Sequence, residues 1–125
     1  MKQKILIIED EAALLKVLED KFLAEGFDVV KAEDGIAGLA AALGGAPDLI
    51  LLDIIMPKKD GLSVLRELRA DPRGKDVPVV ILTNLSDAES INNGVANGVY
   101  DFLVKADWSL DDVVRKVRER LASRK

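Results

Sequence analysis

The chain offers neither imidazole nor thiol, since it contains no histidine and no cysteine. Imidazole general bases, thiolate nucleophiles and the common zinc sites are therefore excluded. Chemistry must rest on carboxylates, hydroxyls and lysines, and these occupy a recurrent position. Glu9 and Asp10 follow the apolar run Ile5-Leu6-Ile7-Ile8, and Asp53 follows Leu49-Ile50-Leu51-Leu52. Thr83, with Asn84 behind it, closes the run from Val77 to Leu82, and Lys105 follows the run from Val99 to Val104. If the first and third runs are neighbours, Glu9, Asp10 and Asp53 converge, and three like charges so close are unfavourable unless a cation joins them. Carboxylate oxygens with remaining waters suit octahedral Mg²⁺, whose open positions take phosphoryl oxygens. Lys105 would supply a point charge to such a group and Thr83 a hydroxyl donor. Asp53 then reads as a covalent nucleophile able to carry the phosphoryl group as an aspartyl phosphate.

The elements that must position these residues alternate along the chain. The runs above, together with Phe27 to Val30, predict five strands, and the first, third and fourth are almost continuously apolar, as in a parallel sheet covered on both faces. Between them the apolar spacing is helical: Leu14, Leu15, Leu18 and Phe22, then Ile36, Leu39, Ala40 and Leu43, which run into the stop signal Gly44-Gly45. Leu62, Leu65 and Leu68 mark a third helix, and Leu110, Val113, Val114, Val117 and Leu121 the last. A fourth helix is expected from the capping box of Ser86 and Glu89, but Asn92, Asn93, Gly94, Asn97 and Gly98 make it the weakest, and it is the element expected to move. Ser109 and Asp112 form a second capping box, with Trp108 and Val113 at the staple positions. Five such units imply an open, doubly wound parallel sheet and are too few for an eightfold barrel. Ligands bind such sheets beyond the carboxyl ends of the strands, which is where the candidate residues fall. The second strand instead ends in Lys31-Ala32-Glu33-Asp34, whose charges have no obvious partner in this scheme.

Taken singly, each candidate has a plainer reading. Glu9 or Asp10 alone would be a helix cap or solvated loop, Thr83 a turn hydroxyl, and Lys105 a surface lysine. Tyr100 and Phe102 read as sheet residues, and Trp108 as a helix staple or, less simply, an anchor for a partner. What favours one site is four strand ends delivering complementary groups to one face.

Composition narrows the partners. With 125 residues and 49% hydrophobic content the chain suits a single domain, 1–125, with one core. A net charge of −4 gives no basic footprint for nucleic acid and no polybasic membrane patch. Only four consecutive apolar residues precede Glu9, too few for a signal-peptide core, and no run approaches a membrane span, so a soluble, cytoplasmic protein is expected.

The acidic pair Glu9-Asp10, the segment from Leu51 through Asp53, Ile54, Ile55, Met56 and Pro57 to Asp60-Gly61, the strand-ending Thr83 and the late Lys105 resemble the receiver domains of two-component response regulators, of the chemotaxis-regulator type, over essentially the whole chain. The resemblance implies a flavodoxin-like (βα)5 sandwich, class α/β, with strand order 2-1-3-4-5. It implies that Asp53 accepts a phosphoryl group from the phosphohistidine of a sensor histidine kinase or phosphotransfer protein. Mg²⁺ would be bound by Asp10, Asp53 and the backbone carbonyl of Ile55, with Glu9 assisting. Thr83 and Lys105 would hold the phosphoryl oxygens, and Thr83 with Phe102 would switch the surface of the fourth helix, fifth strand and fifth helix. Such a domain is a phosphoacceptor rather than an enzyme in the ordinary sense, and is expected as a monomer or weak dimer.

This chain departs from the family pattern at three positions. Ala106 stands where the family has a proline with a cis bond; a cis bond before alanine would cost about 3 kcal/mol, so a trans bond and an altered loop are expected. Asn84 replaces a small residue, narrowing access to the site, and Glu9 replaces aspartate, lengthening its reach. A pseudo-receiver that keeps the fold as a protein-interaction scaffold is the alternative these changes leave. A phosphatase with an aspartyl phosphate is disfavoured, because its Asp-x-Asp would follow the first strand. A nucleotide-binding turn is disfavoured because Ile8-Glu9-Asp10-Glu11 is acidic and lacks glycine.

Overall fold

The computed structural model of the protein describes residues 2–53, 61–83, 100–104 and 109–122. Its elements alternate as the sequence predicts: β1 (Lys4–Ile8), α1 (Ala12–Ala24), β2 (Asp28–Ala32), α2 (Gly35–Gly45), β3 (Leu49–Asp53), α3 (Gly61–Ala70), β4 (Val79–Thr83), β5 (Tyr100–Val104) and a last helix, Leu110–Ala122. The helix expected from Ser86 lies outside the described residues. All four strand pairings are parallel, and the order is β2-β1-β3-β4-β5.

Side chains of a strand point alternately to its two faces, so the continuous apolar runs divide into two cores. Leu6, Ile8, Ile50, Leu52, Val79 and Ile81 face α2 and α3, where they meet Ala42, Val64, Leu65 and Leu68. Ile5, Ile7, Leu49, Leu51, Val80 and Leu82 face the other way, against Leu15, Leu18 and Phe22 of α1 and Val113, Val114, Val117 and Leu121 of the last helix. β2 lies at the edge of the sheet, and correspondingly four of its five residues escape full burial.

Among the strand boundaries that differ from those read from sequence, two have a clear physical cause. The fourth strand begins at Val79 rather than Val77, because Pro78 has no N–H for the ladder of an interior strand; its carbonyl still accepts from the Ile50 N–H at 3.0 Å. The second strand is displaced toward the carboxyl end, Asp28–Ala32, since Phe27 turns into the core ahead of it, edge-on to Phe22 with ring centroids 5.5 Å apart. Among the described residues no helix is long and apolar enough to cross a membrane.

Helix termini follow local chemistry. Ser109 and Asp112 form the expected reciprocal box: the Asp112 N–H donates to Ser109 Oγ at 3.2 Å, and the Ser109 N–H to Asp112 Oδ2 at 2.9 Å. α2 opens on Asp34, whose carboxylate accepts from the Ala37 N–H at 2.8 Å. It closes on Ala46 in the left-handed region, φ 47° and ψ 57°, one residue beyond the Gly44-Gly45 signal. Lys4 Nζ caps the exit by donating to the Gly45 carbonyl at 2.8 Å.

At the amino edge of the sheet, α1 is tied to the last helix. Lys21 reaches Asp111 at 2.8 Å and Glu25 reaches Arg118 at 2.9 Å, while the Arg118 guanidinium sits 5.1 Å from the centroid of the Phe27 ring. Arg118 first, and then Lys21, hold the Glu25 carboxyl below its usual range.

Two outcomes follow from these termini and ties. Asp34→Ala should lower stability by about 1 kcal/mol in urea unfolding, the usual cost of a lost N-cap, while Ala46→Gly should be neutral or gain up to about 1 kcal/mol by removing a left-handed alanine. For Glu25 the folded-state value is depressed, so its contribution is present above about pH 4.3, the unfolded value, and is lost as pH falls through the folded value. The melting temperatures of wild type and Glu25→Gln should therefore differ at pH 7 and converge in acid.

Candidate functional site

The parallel register brings β1 and β3 to the same level. Ile8 pairs with Leu52, so the residues that follow them, Glu9 and Asp53, stand side by side at the carboxyl edge. The Glu9 N–H donates to the Ala32 carbonyl at 3.0 Å and so continues the β1–β2 ladder one step beyond the strand. Glu9 and Asp53 are only 1% and 5% exposed, whereas Asp10 faces solvent. One carboxylate oxygen from each of the three lies within 4.8 Å of the others. Glu9 is oriented locally, because the Glu11 N–H donates to its Oε2 at 3.1 Å where the chain turns into α1.

At about 5 Å two unit charges repel by roughly 3 kcal/mol with an effective dielectric of about 20. That is a large part of the roughly 5–15 kcal/mol that keeps a domain folded. A cluster of this kind favours a compensating cation. The donor set is all oxygen, which selects a hard divalent ion over the softer metals that prefer nitrogen or sulfur. Two buried carboxylates and one exposed suit Mg²⁺, which keeps several waters and takes one or two carboxylates.

The other strand ends extend this site. Leu82 pairs with Asp53, and Thr83 follows it as the last residue of β4. Thr83 in turn pairs with Val104, the residue before Lys105, and Phe102 lies in β5 opposite Ile81. The structure thus brings Glu9, Asp10 and Asp53 together and sets the backbone of Thr83 at the same edge. Ile55, Asn84, Lys105, Ala106 and Trp108 lie outside the described residues.

Two of the charges at the end of β2 have partners away from the carboxylate cluster, which the sequence reading did not supply. Lys31 Nζ lies 3.2 Å from a Glu19 carboxylate oxygen on α1, and Asp34 is the N-cap of α2. Asp34 was recoverable from its place directly before a helical pattern. The Lys31–Glu19 pair spans two elements, and no local pattern announces it. The Glu11 amide was likewise missed, because a backbone donor leaves no mark in residue type.

Comparison with known proteins agrees with this arrangement. The response regulator receiver domain family matches residues 5–118. Response regulator PleD of Caulobacter vibrioides is 40% identical over 124 residues, covering 99% of this chain and 27% of PleD. The DNA-binding dual master transcriptional regulator RpaA of Synechocystis is 38% identical over 118 residues, 94% of this chain and 48% of RpaA. The chain therefore spans half or less of these two relatives. Among solved structures, the receiver domain of the sensor histidine kinase PA1611 from Pseudomonas aeruginosa, with magnesium coordinated in its active-site cleft, superposes with a TM-score of 0.88 at 30% identity, over 98% of this chain and 100% of that one. The receiver domain of the Francisella response regulator 1452 gives the same TM-score and identity over 99% of this chain and 100% of its own. A family match across the body of the chain, on a sheet of the same order with its acidic residues at the carboxyl edge, makes this chain a member of the response regulator receiver domain family.

Proposed function

We propose that residues 1–125 act as one receiver domain in which Asp53 accepts a phosphoryl group from the phosphohistidine of a sensor histidine kinase or phosphotransfer protein. The observation that carries this reading is the buried carboxylate of Asp53 at the end of β3, with oxygens of Glu9 and Asp10 within 4.8 Å. A carboxylate oxygen of Asp53 attacks phosphorus, the P–N bond to the donor imidazole breaks, and the new P–O bond leaves an aspartyl phosphate. Asp10, Asp53 and the Ile55 carbonyl would hold Mg²⁺, with Glu9 assisting, and the ion supplies charge neutralisation to the transferring group. Thr83 and Lys105 hold the phosphoryl oxygens, and Phe102, in the strand paired with Thr83, answers the movement of the Thr83 hydroxyl.

The partners are proteins. A net charge of −4 supports no direct contact with nucleic acid, and the absence of a spanning helix among the described residues is in keeping with a cytoplasmic location.

Incubation with Mg²⁺ and acetyl phosphate, followed by intact-mass measurement, should add one phosphoryl group to the wild type and none to Asp53→Asn or to a metal-free sample. If no adduct forms and beryllofluoride with Mg²⁺ leaves the melting temperature unchanged, the chain is a phosphorylation-independent scaffold instead. In the absence of metal, Asp10→Asn should raise stability at low salt by relieving the carboxylate repulsion. Mg²⁺ at ten times its dissociation constant should stabilise the wild type by about 1.4 kcal/mol and that variant by less, both read from thermal melts.

A further inference from the structure

Gly38 sits inside α2, where a glycine costs about 1 kcal/mol relative to alanine, and its conformation does not require one, since among the described residues only Gly26 is a glycine with positive φ. The reason for glycine here is space. A Cβ on Gly38 would fall 2.7 Å from Ile8 Cδ1, 2.8 Å from Cγ2 and 2.9 Å from Cγ1. Ile8 has little room to give, because it is 1% exposed and packs in the same cluster as Ala32, Ala42 and Leu52. It is also the residue before Glu9, and its partner in the ladder, Leu52, is the residue before Asp53. The backbone of α2 thus rests directly on the step that leads into the carboxylate cluster.

We propose that Gly38 is a positioning residue for the metal site: by lacking a side chain it lets α2 seat on Ile8, which fixes where Glu9 and Asp53 project. This rests on the Mg²⁺ reading given above. A methyl group at position 38 must either lift α2 or push Ile8 against Ala32 and Leu52. Either movement passes to the two carboxylates through one peptide unit each. The cluster is more sensitive than the core to such a shift, because an octahedral ion tolerates little change in donor spacing whereas packed methyls can readjust.

The test is a Mg²⁺ titration of metal-free, ¹⁵N-labelled protein followed by NMR, which reads affinity on folded molecules only. Gly38→Ala should weaken Mg²⁺ binding roughly 10-fold, the scale of losses when a ligand's supporting neighbour is changed. Gly74→Ala is the control for general destabilisation. Its Cβ would meet Leu68 Cδ1 at 2.3 Å and the Leu68 carbonyl at 2.6 Å, but in the loop entering β4, at the opposite edge of the sheet. It should lower the melting temperature and leave Mg²⁺ affinity unchanged. Pairing Gly38→Ala with Ile8→Ala removes all three crowding atoms and should recover most of the affinity, and this pair decides the matter if Gly38→Ala alone is too unstable to titrate. Unchanged affinity in Gly38→Ala, equal loss in Gly74→Ala, or a folded double variant that still binds weakly would each overturn the proposal. A wild type that binds no Mg²⁺ would instead remove the metal reading on which it rests.

Discussion

Everything at the site depends on the parallel ladder that joins β1 to β3. Its register matches Ile8 to Leu52, so two acidic residues that are 44 positions apart must emerge at one level, beside each other and largely out of water. The ladder can hold them there because the strands beneath are buried on both faces: Ile5 to Ile8 of β1 and Leu49 to Leu52 of β3 lie in one core or the other. The apolar layers supply the folding free energy, and the carboxylate cluster is carried at their rim at an electrostatic cost that a divalent ion can reverse. Stability and the proposed function therefore oppose each other at Glu9, Asp10 and Asp53.

The two faces of the sheet divide the work of holding this edge. On one, α2 and α3 pack against the even-numbered residues of β1 and β3, and one close approach, Gly38 on Ile8, lies directly below the acidic pair. On the other, α1 starts at the site, where the Glu11 amide orients Glu9, and ends at the far edge in the ionic and cation–π contacts with the last helix. These exposed ion pairs are screened by solvent and contribute little individually. They join the last helix to α1 beside the buried apolar contacts of Val113, Val114 and Val117.

The family match and the geometry bear on different questions. Similarity to PleD and RpaA over nearly the whole of this chain establishes the family, but those proteins extend well beyond the matched region. What they do with the rest of their length does not transfer. The chemistry proposed for Asp53 stands on its burial and its neighbours.

The sequence by itself determined the alternation of elements, the parallel sheet and the residues at its carboxyl edge. Short, β-branched continuous apolar runs between helical patterns read as strands covered on both sides, and polar groups directly after such runs fall where the strands leave the core. It determined the Ser109–Asp112 box for the same local reason, since three residues suffice to close it. Local pattern misplaced the start of β4 by two residues, because the apolar run did not reveal what Pro78 does to the ladder. Tertiary structure alone decided the pairing of Lys31 with Glu19 and the need for glycine at position 38. Each of these joins groups from different elements. Such contacts depend on how closely two elements approach, a distance set by the whole core and written in no single stretch of residues.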